Sequence, residues 1–395
     1  AFRLSPWQRF WKLDVSFALP GLIWNMMISL SSSWFFVVVS EAITVSHQEI
    51  RLPGVGSYIA LAIASKNLHA LFLAIITMSI VIFLYDQIIF RPLLTWAEKF
   101  KLHYSVNEEP YTSWLIDWVR RSQFLKYSLL PLAYIQDKCL HAASLNHFFH
   151  YCASLHPPAS SAAAPRWRSM SVSVMLLCAG SYGASRLLTY LSFSELCHVG
   201  LLGAATTLRV LVLILLSALI WIPIGVWIGL RPRLAQRMQP LIQFAAAFPA
   251  NLFYPLCVIA ISTFQLNVEI WVTPLMILGT QWYILFNVIA GASLIPRDLC
   301  LVANNIGLSG FRWWKRLGLP AIYPYLVTGA ITAAGGAWNA SIVAEWVSWG
   351  PLTLKATGLG AYIQENTING QFHHIARGTC VMCLFVVALN HMLWR

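Results

Sequence analysis

Charged residues are scarce in this chain. Asp, Glu, Lys and Arg together make up only 10% of its 395 residues, whereas 58% of the residues are hydrophobic. Soluble domains carry about 25% charged residues, so the composition excludes an ordinary soluble protein and predicts an integral membrane protein. The net charge of +12 does not indicate a nucleic-acid partner. The basic residues cluster in loops between apolar runs, where they set orientation and meet membrane lipid.

Residue groups that could carry catalysis or hold a metal are also missing. The one close cysteine pair, Cys380 and Cys383, lies in an apolar run without a second pair elsewhere, which favours packing over a zinc or redox site. His147, His150 and His156 lie in a polar segment without carboxylate partners. No G-x-x-x-x-G-K-[ST] phosphate-binding loop occurs either. We therefore expect no metal, no catalytic residue, no cofactor bound by this chain and no enzyme activity.

What the chain has in abundance is long apolar runs, and we count eight. Each is long enough to cross a hydrocarbon core of about 30 Å as a helix rising 1.5 Å per residue. Two of them precede a polar segment and six follow it. They lie near residues 17–39, 70–90, 171–191, 204–229, 240–262, 271–294, 321–344 and 374–394. The pattern predicts an all-α integral membrane protein, a polytopic helical bundle.

The loops between these runs alternate in charge. Basic residues concentrate in four segments, 1–16, 92–169, 231–239 and 296–320, whereas 194–198 and 263–269 contain no Lys or Arg. By the positive-inside rule, the four basic segments are cytoplasmic and the other two are outside. Every loop fits this one topology, which predicts a multi-pass protein of the bacterial inner (plasma) membrane.

Residues 92–170 form a polar segment between the two groups of runs. Its stretch TSWLIDWVRRSQFLKYSLL places Trp and Leu on one side and charges on the other, which is typical of a helix lying on the membrane surface. The stretch HPPASSAAAP has the composition of a flexible tether. We predict a cytoplasmic linker here, which is the domain boundary.

The two ends of the chain repeat each other at a shift of 304 residues, without any gap. The matches include Trp34 with Trp338, Glu41 with Glu345, Gly54-x-Gly56-x-Tyr58 with Gly358-x-Gly360-x-Tyr362, and Arg91 with Arg395. One shared register with matching hydropathy indicates an internal repeat. Residues 1–91 are then the last two spans of a first copy, and 171–395 are a complete six-span domain. We expect a fragment of a longer chain with two fused six-span domains in parallel orientation.

The loop at 296–320 carries the most specific motif. It reads as two short helices broken at Gly307, with an amphipathic turn from Phe311 to Leu317 that Pro320 stops. Leu301-Val302-Ala303, then Gly307 after three residues, then Leu317-Gly318-Leu319-Pro320 after nine more, resembles the EAA loop of ABC-transporter permeases. The glutamate and first alanine of that motif are replaced here. The alternative is an ordinary basic loop before a proline-started helix.

With this loop, the stretches 201–230, 243–256 and 279–291 resemble permeases of binding-protein-dependent ABC importers, in the nitrate/sulfonate/taurine branch. The resemblance implies a translocation pathway for a small solute, with nitrate, sulfonate or taurine as the expected class of anion. It also implies an ABC ATP-binding subunit, which uses ATP and Mg, and an extracytoplasmic solute-binding protein. The alternative is an ion-gradient-driven secondary transporter or channel.

On this resemblance the loop docks into the ATPase subunit. Its residues are Ala303, Gly307, Phe311, Trp313, Trp314, Leu317 and Pro320, of which Phe311, Trp313, Trp314 and Leu317 are the expected apolar anchors. The corresponding first-copy loop uses Trp7, Phe10, Trp11 and Leu13. Arg3 replaces the flexible glycine there, so we expect that loop to take a different backbone path.

A few polar residues in the spans are candidates for the pathway or its gate, since charge there is costly. For Arg209 we expect one of three roles. It attracts an anionic solute, forms a structural pair with Glu345, or extends its charged end to the membrane surface. Glu41 and Glu345 lie at the outer ends of their spans, where they gate, touch the binding protein or are merely solvated. Trp282, Tyr283 and Asn287 share one helical face and either border the pathway or pack.

Overall fold

The structure is a computed structural model that describes residues 6–100, 114–121 and 193–394. Two β-hairpins interrupt an otherwise helical chain in these residues. The helices before residue 193 are α1 (Pro6–Arg9), α2 (Ser16–Ser40), α3 (Val55–Ala64), α4 (Leu68–Tyr85), α5 (Arg91–Ala97) and α6 (Trp114–Arg121). The later ones are α7 (Phe193–Gly229), α8 (Pro232–Ala247), α9 (Tyr254–Thr263), α10 (Val268–Ser293), α11 (Arg297–Asn305), α12 (Gly310–Trp313), α13 (Leu319–Ala344), α14 (Leu359–Ile368) and α15 (Phe372–Trp394). The strands are β1 (Ala42–Val45), β2 (Gln48–Arg51), β3 (Trp346–Trp349) and β4 (Leu352–Lys355).

Five helical segments of the described residues are long and apolar enough to cross a membrane. They are Leu68–Ala97, Ser194–Gly229, Val268–Ser293, Gly310–Ala344 and Phe372–Trp394. The predicted all-α membrane fold is confirmed. The run at 17–39 is helical as part of α2 but is not among the five, and 171–191 lies outside the described residues.

The predicted span 240–262 is wrong, because the chain breaks in its middle. Helix α8 ends at Ala247, the next residue Phe248 is extended (φ −69°, ψ 125°), and α9 begins only at Tyr254. Pro249 explains the break, since a residue before proline avoids the helical region and proline itself donates no hydrogen bond. Two shorter helices therefore replace one span.

The chain divides into two compact units. The first consists of residues 1–26 and 85–190, and the second consists of residues 27–84 and 191–395. In the first unit, the ring of Trp7 lies with its centroid 6.4 Å from that of Phe10 and 5.7 Å from that of Trp11. The same unit holds an ion pair, with Arg91 Nε 3.6 Å from Asp86 Oδ2. These contacts are local in sequence.

The core of the second unit is built around α10 and α13. Helix α13 buries a row of small residues, Gly329, Ala330, Ala333, Ala334 and Ala337, next to the fully buried Trp338. A Cβ on Gly329 would lie only 3.2 Å from the backbone of α10. Small residues thus allow the two backbones to approach closely, which is how helices associate without a hydrophobic driving force.

The structure contains the 304-residue repeat in its elements. Strand β1 starts at Ala42 and β3 at Trp346, so 346 − 42 = 304. The same difference separates the starts of β2 and β4, of α3 and α14, and of α4 and α15. Both hairpins also share one register, which pairs Ala42 with Arg51 and Trp346 with Lys355. The domain boundaries in the linker stay a prediction, because most of the linker lies outside the described residues.

Candidate functional site

Glu345 lies at the end of α13 and is completely buried. Its carboxylate accepts hydrogen bonds from Thr206 Oγ1 (2.9 Å), Arg209 Nη1 (2.8 Å) and the backbone N–H groups of Gly360 (2.8 Å) and Ala361 (3.2 Å). The last two N–H groups belong to the first turn of α14, where backbone N–H groups have no acceptor within the helix and a negative charge is stabilised. The expectation of a merely solvated helix end is therefore wrong for Glu345. Burial raises the pKa of Glu345, whereas Arg209 and the hydrogen bonds act to lower it.

Arg209 connects this carboxylate to a second one. Its Nη2 forms an ion pair with Glu269, and its Nη1 also donates to the carbonyl of Thr357 at 3.0 Å. Glu269 in turn accepts from Thr357 N (2.8 Å) and Thr357 Oγ1 (2.7 Å). Arg209 is only 8% exposed. Of the three alternatives for this arginine, the structure shows the pair with Glu345, and sequence reasoning missed Glu269.

Glu41 occupies the equivalent position in the first copy. Its Oε2 accepts from the backbone N–H of Gly56 at 2.5 Å, as Glu345 does from Gly360. A side chain on Gly54 would collide with the Glu41 carboxylate, and one on Gly358 would collide with that of Glu345. The repeated Gly-x-Gly pattern therefore marks a carboxylate seated on a helix start.

A second ion cluster, which the sequence did not predict, ties α7 to α15. The Glu195 carboxylate lies 2.6 Å from Arg377 Nη1 and 2.8 Å from His374 Nδ1. The Tyr362 hydroxyl lies 3.0 Å from the same His374 nitrogen. Burial, and next the Glu195 charge, raise the pKa of Tyr362. The sequence could suggest the charges, but not that α14 and α15 bring them to one place.

The turn of each hairpin contacts the other copy. Ser46 N donates to Thr367 O (3.3 Å), and Gly350 N donates to Ile63 O (3.1 Å). Since 350 − 46 and 367 − 63 both equal 304, these two hydrogen bonds are equivalent under exchange of the copies. The second unit therefore contains a reciprocal, pseudo-two-fold contact, as in an isologous dimer interface.

A small cavity lies between α2 of the first copy and α8, α10 and α13. Its wall includes Thr280 and two further groups of residues. The aromatic group is Phe35, Phe36, Phe248 and Tyr283, and the small group is Ala246, Ala250, Gly279, Gly336 and Ala340. Of the three residues predicted on one face of α10, Tyr283 lines the cavity. Trp282 instead contacts Trp221 with ring centroids 5.4 Å apart, and Asn287 donates to Tyr283 O at 2.8 Å.

The basic loop forms two short helices, α11 and α12, with Gly307 between them. Gly307 has φ +63°, a left-handed conformation that favours glycine. The expected stop at Pro320 is wrong, because a π-helical turn (Trp314–Gly318) continues into α13 and Pro320 lies in that helix's first turn. Proline is tolerated there since the N–H of the first turn has no helical acceptor.

Exposure separates the predicted anchors of this loop. Phe311 is 81% exposed, whereas Trp313, Trp314 and Leu317 are half-buried and Ala303 is buried. Trp313 packs against Gly318, where a side chain would collide with its ring. Other apolar residues of the loop are as exposed as an anchor should be, and these are Leu299, Leu301, Val302 and Ile306. Their sequence signal is large apolar residues in a loop that also carries four basic residues.

The first-copy loop has the same path over its described part. Helix α1 is followed by a π-helical turn (Phe10–Val15), as α12 is by its own. Phe10, Trp11 and Leu13 are exposed and Trp7 is half-buried. From residue 6 onward, the first-copy loop therefore does not show the different backbone path that we expected. Arg3, on which that expectation rests, lies outside the described residues.

These features define a class, a polytopic helical membrane protein in which two related halves meet and a basic loop extends from one end. Residues 221–393 match the family described as "Binding-protein-dependent transport system inner membrane component". Over these residues the chain is similar to that family, which confirms the resemblance to ABC importer permeases and supports a multi-pass protein of the inner membrane. The fused double form stays a prediction.

Individual relatives agree with this family. The chain is 31% identical over 150 residues to the bicarbonate transport system permease protein CmpB of Synechococcus elongatus, which covers 38% of the chain and 51% of that relative. It is 28% identical over 187 residues to the nitrate import permease protein NrtB of Leptolyngbya laminosa, covering 47% and 63%. The chain thus spans about half to two thirds of the length of these relatives.

Proposed function

We propose that this chain is the permease subunit of an ATP-driven importer and forms the pathway for a small anion. The observation that carries the proposal is the match of residues 221–393 to the binding-protein-dependent permease family. The matched range includes the 296–320 loop with its exposed apolar side chains. The names of the relatives, which specify bicarbonate and nitrate, support small inorganic anions as the solute class.

The loop is the proposed contact to the ATPase subunit. Phe311 and the apolar side chains Leu299, Leu301 and Val302 of α11 are exposed, and so are the basic residues of the same loop, Arg297, Arg312, Lys315 and Arg316. Large exposed apolar groups beside charges are typical of protein interfaces. Since α12, the π-helical turn and α13 form one continuous helical segment of 35 residues, a displacement of the loop would be transmitted along α13 towards Glu345.

Energy is proposed to come from the partner. This chain would bind no cofactor, and the ABC ATP-binding subunit would use ATP and Mg. An extracytoplasmic solute-binding protein is proposed to deliver the anion at the hairpin end, which lies at the other end of α13 from the loop. No catalytic residue is assigned to this chain.

Reconstitution tests the proposal. The complete permease is placed in liposomes alone or with its ATPase and binding protein, and uptake of nitrate and of bicarbonate is measured with ATP or with a non-hydrolysable analogue. We expect uptake only with all three components and ATP. Accumulation driven by a proton or sodium gradient without the ATPase would instead establish the secondary-transporter alternative.

A further inference from the structure

The cavity lies between the two copies and is lined by a pair of equivalent residues, one from each copy. Phe36 of α2 and Ala340 of α13 both line it, and 340 − 36 = 304, the offset of the repeat. Equivalent residues of two copies can border one cavity only near the axis that relates the copies. In transporters with two related halves, the solute site lies at the interface of the repeats. The cavity is therefore positioned on the expected pathway.

The two copies contribute unequally to its wall. The first copy supplies Phe35 and Phe36, whose ring centroids lie 5.5 Å apart in an edge-to-face arrangement. The equivalent residues of the second copy are Asn339 and Ala340, so that side of the axis presents a small residue instead. Gly336, one turn before Ala340, widens the same side. A large side chain of the first copy thus stands where the second copy has an alanine, while Phe248 and Tyr283 of the second copy line other parts of the wall.

The cavity offers little to a hydrated anion. Its volume is about 30 Å³, which is room for about two or three water molecules when each needs about 10–15 Å³. No charged side chain is among its lining residues. The Thr280 hydroxyl donates to the carbonyl of Met276 at 2.9 Å and so is already occupied as a donor. Apart from the side chains of Thr280 and Tyr283, all side chains that line the cavity are apolar, so an anion that loses its water here regains few hydrogen bonds, and apolar constrictions of this kind block ions by dewetting.

We infer that Phe36 is the plug of the pathway: a single aromatic side chain from the first copy that seals the resting permease against leakage of small anions. The inference rests on the proposed function, since it assumes that the axis is the solute pathway. Ala340 is then the opposing small residue that makes room for the plug. Exchanging the two residues should leave one plug in the cavity.

The test measures ATP-independent anion flux. The complete permease with its ATPase and binding protein is reconstituted in liposomes, and nitrate efflux is followed without ATP for the wild type, Phe36→Ala and Phe36→Leu. We expect Phe36→Ala to leak about tenfold faster or more, because the dry barrier is opened to water. Phe36→Leu keeps an apolar plug and should stay sealed. Phe72→Ala is the matched control, since Phe72 is an exposed residue of α4 that does not line the cavity.

Two further variants separate a plug from general damage. Ala340→Phe alone should reduce ATP-driven uptake, because two rings overfill the cavity. The double variant Phe36→Ala/Ala340→Phe should seal again, with flux near that of the wild type. Size-exclusion chromatography of each complex checks its assembly.

The outcomes distinguish the two proposals. If the wild type imports no anion with ATP, the proposed function fails. If the wild type imports normally and Phe36→Ala does not leak, the plug inference is wrong while the proposed function stands. A double variant that leaks as fast as Phe36→Ala would also overturn the inference, because it would deny the equivalence of the two residues.

Discussion

The Glu345 cluster makes a quantitative prediction through its counterpart in the other copy. Glu345→Gln keeps the shape of the side chain but removes the charge that faces Arg209. It also replaces one carboxylate oxygen, an acceptor, by an NH2 donor next to groups that are themselves donors. Glu41→Gln makes the same chemical change at the equivalent position of the first copy. The two variants differ only in their surroundings.

Those surroundings set the magnitude. Glu345 is fully buried and accepts from four donors, one of which is Arg209, and breaking a buried ion pair costs about 3–5 kcal/mol. Glu41 is half-buried and its carboxylate accepts from Gly56 N, an interaction comparable with a helix cap worth about 1 kcal/mol. We expect Glu345→Gln to destabilise the protein about threefold more in free energy than Glu41→Gln.

Thermal unfolding of the detergent-solubilised permease measures this difference. The midpoint temperature, followed by fluorescence-detected size exclusion, should fall clearly for Glu345→Gln and only slightly for Glu41→Gln. The double variant Arg209→Gln/Glu345→Gln should lose less than the sum of its single variants, because the unpaired charge is removed. Equal midpoints for Glu345→Gln and Glu41→Gln would refute the reasoning.

Three further predictions concern the two ends of the molecule. In a background without native cysteines, a cysteine placed at Asn267 should be labelled by an impermeant reagent from outside and one at Ser309 should not; the reverse pattern contradicts the topology. Phe311→Ala should weaken co-purification of the ATPase about tenfold, since it removes an interface anchor worth more than 1 kcal/mol, and Phe372→Ala, an equally large exposed change at the other end, should not. Gly307→Arg should uncouple binding-protein-stimulated ATP hydrolysis from uptake, because a side chain at φ +63° strains the bend by about 1 kcal/mol or more. Ser309→Arg adds the same charge at an ordinary φ and should remain coupled. If both variants behave alike, the bend at Gly307 does not couple ATP hydrolysis to uptake.

Features that depend on local sequence were predictable. The break at Gly307 follows from glycine's access to the left-handed region, and the repeat follows from residue matches in one register. Even the pairing of Arg209 with Glu345 was among the expected alternatives, because a buried arginine needs a carboxylate. Each of these inferences uses residues that are close in sequence or a general cost of burying charge.

Features that depend on tertiary placement were not predictable. Glu269 joins Arg209 only because the start of α10 lies beside the loop before α14, and Glu195 meets Arg377 across 182 residues. The failed span at 240–262 has a different origin. The span was predicted from the hydropathy of the run, although Pro249 within the run was the stronger signal and predicted a break in the helix.

The reciprocal contact of the hairpin turns has a genetic consequence. In a symmetric homodimer one codon change alters both equivalent contacts at once, whereas here each contact is encoded separately and can diverge alone. The turns already differ, since Ser46 (φ +51°) stands in one copy and Gly350 (φ +60°) in the other. A defect at one turn should therefore be suppressed by second-site changes in the opposite copy, around Ile63 or Thr367, and not in its own.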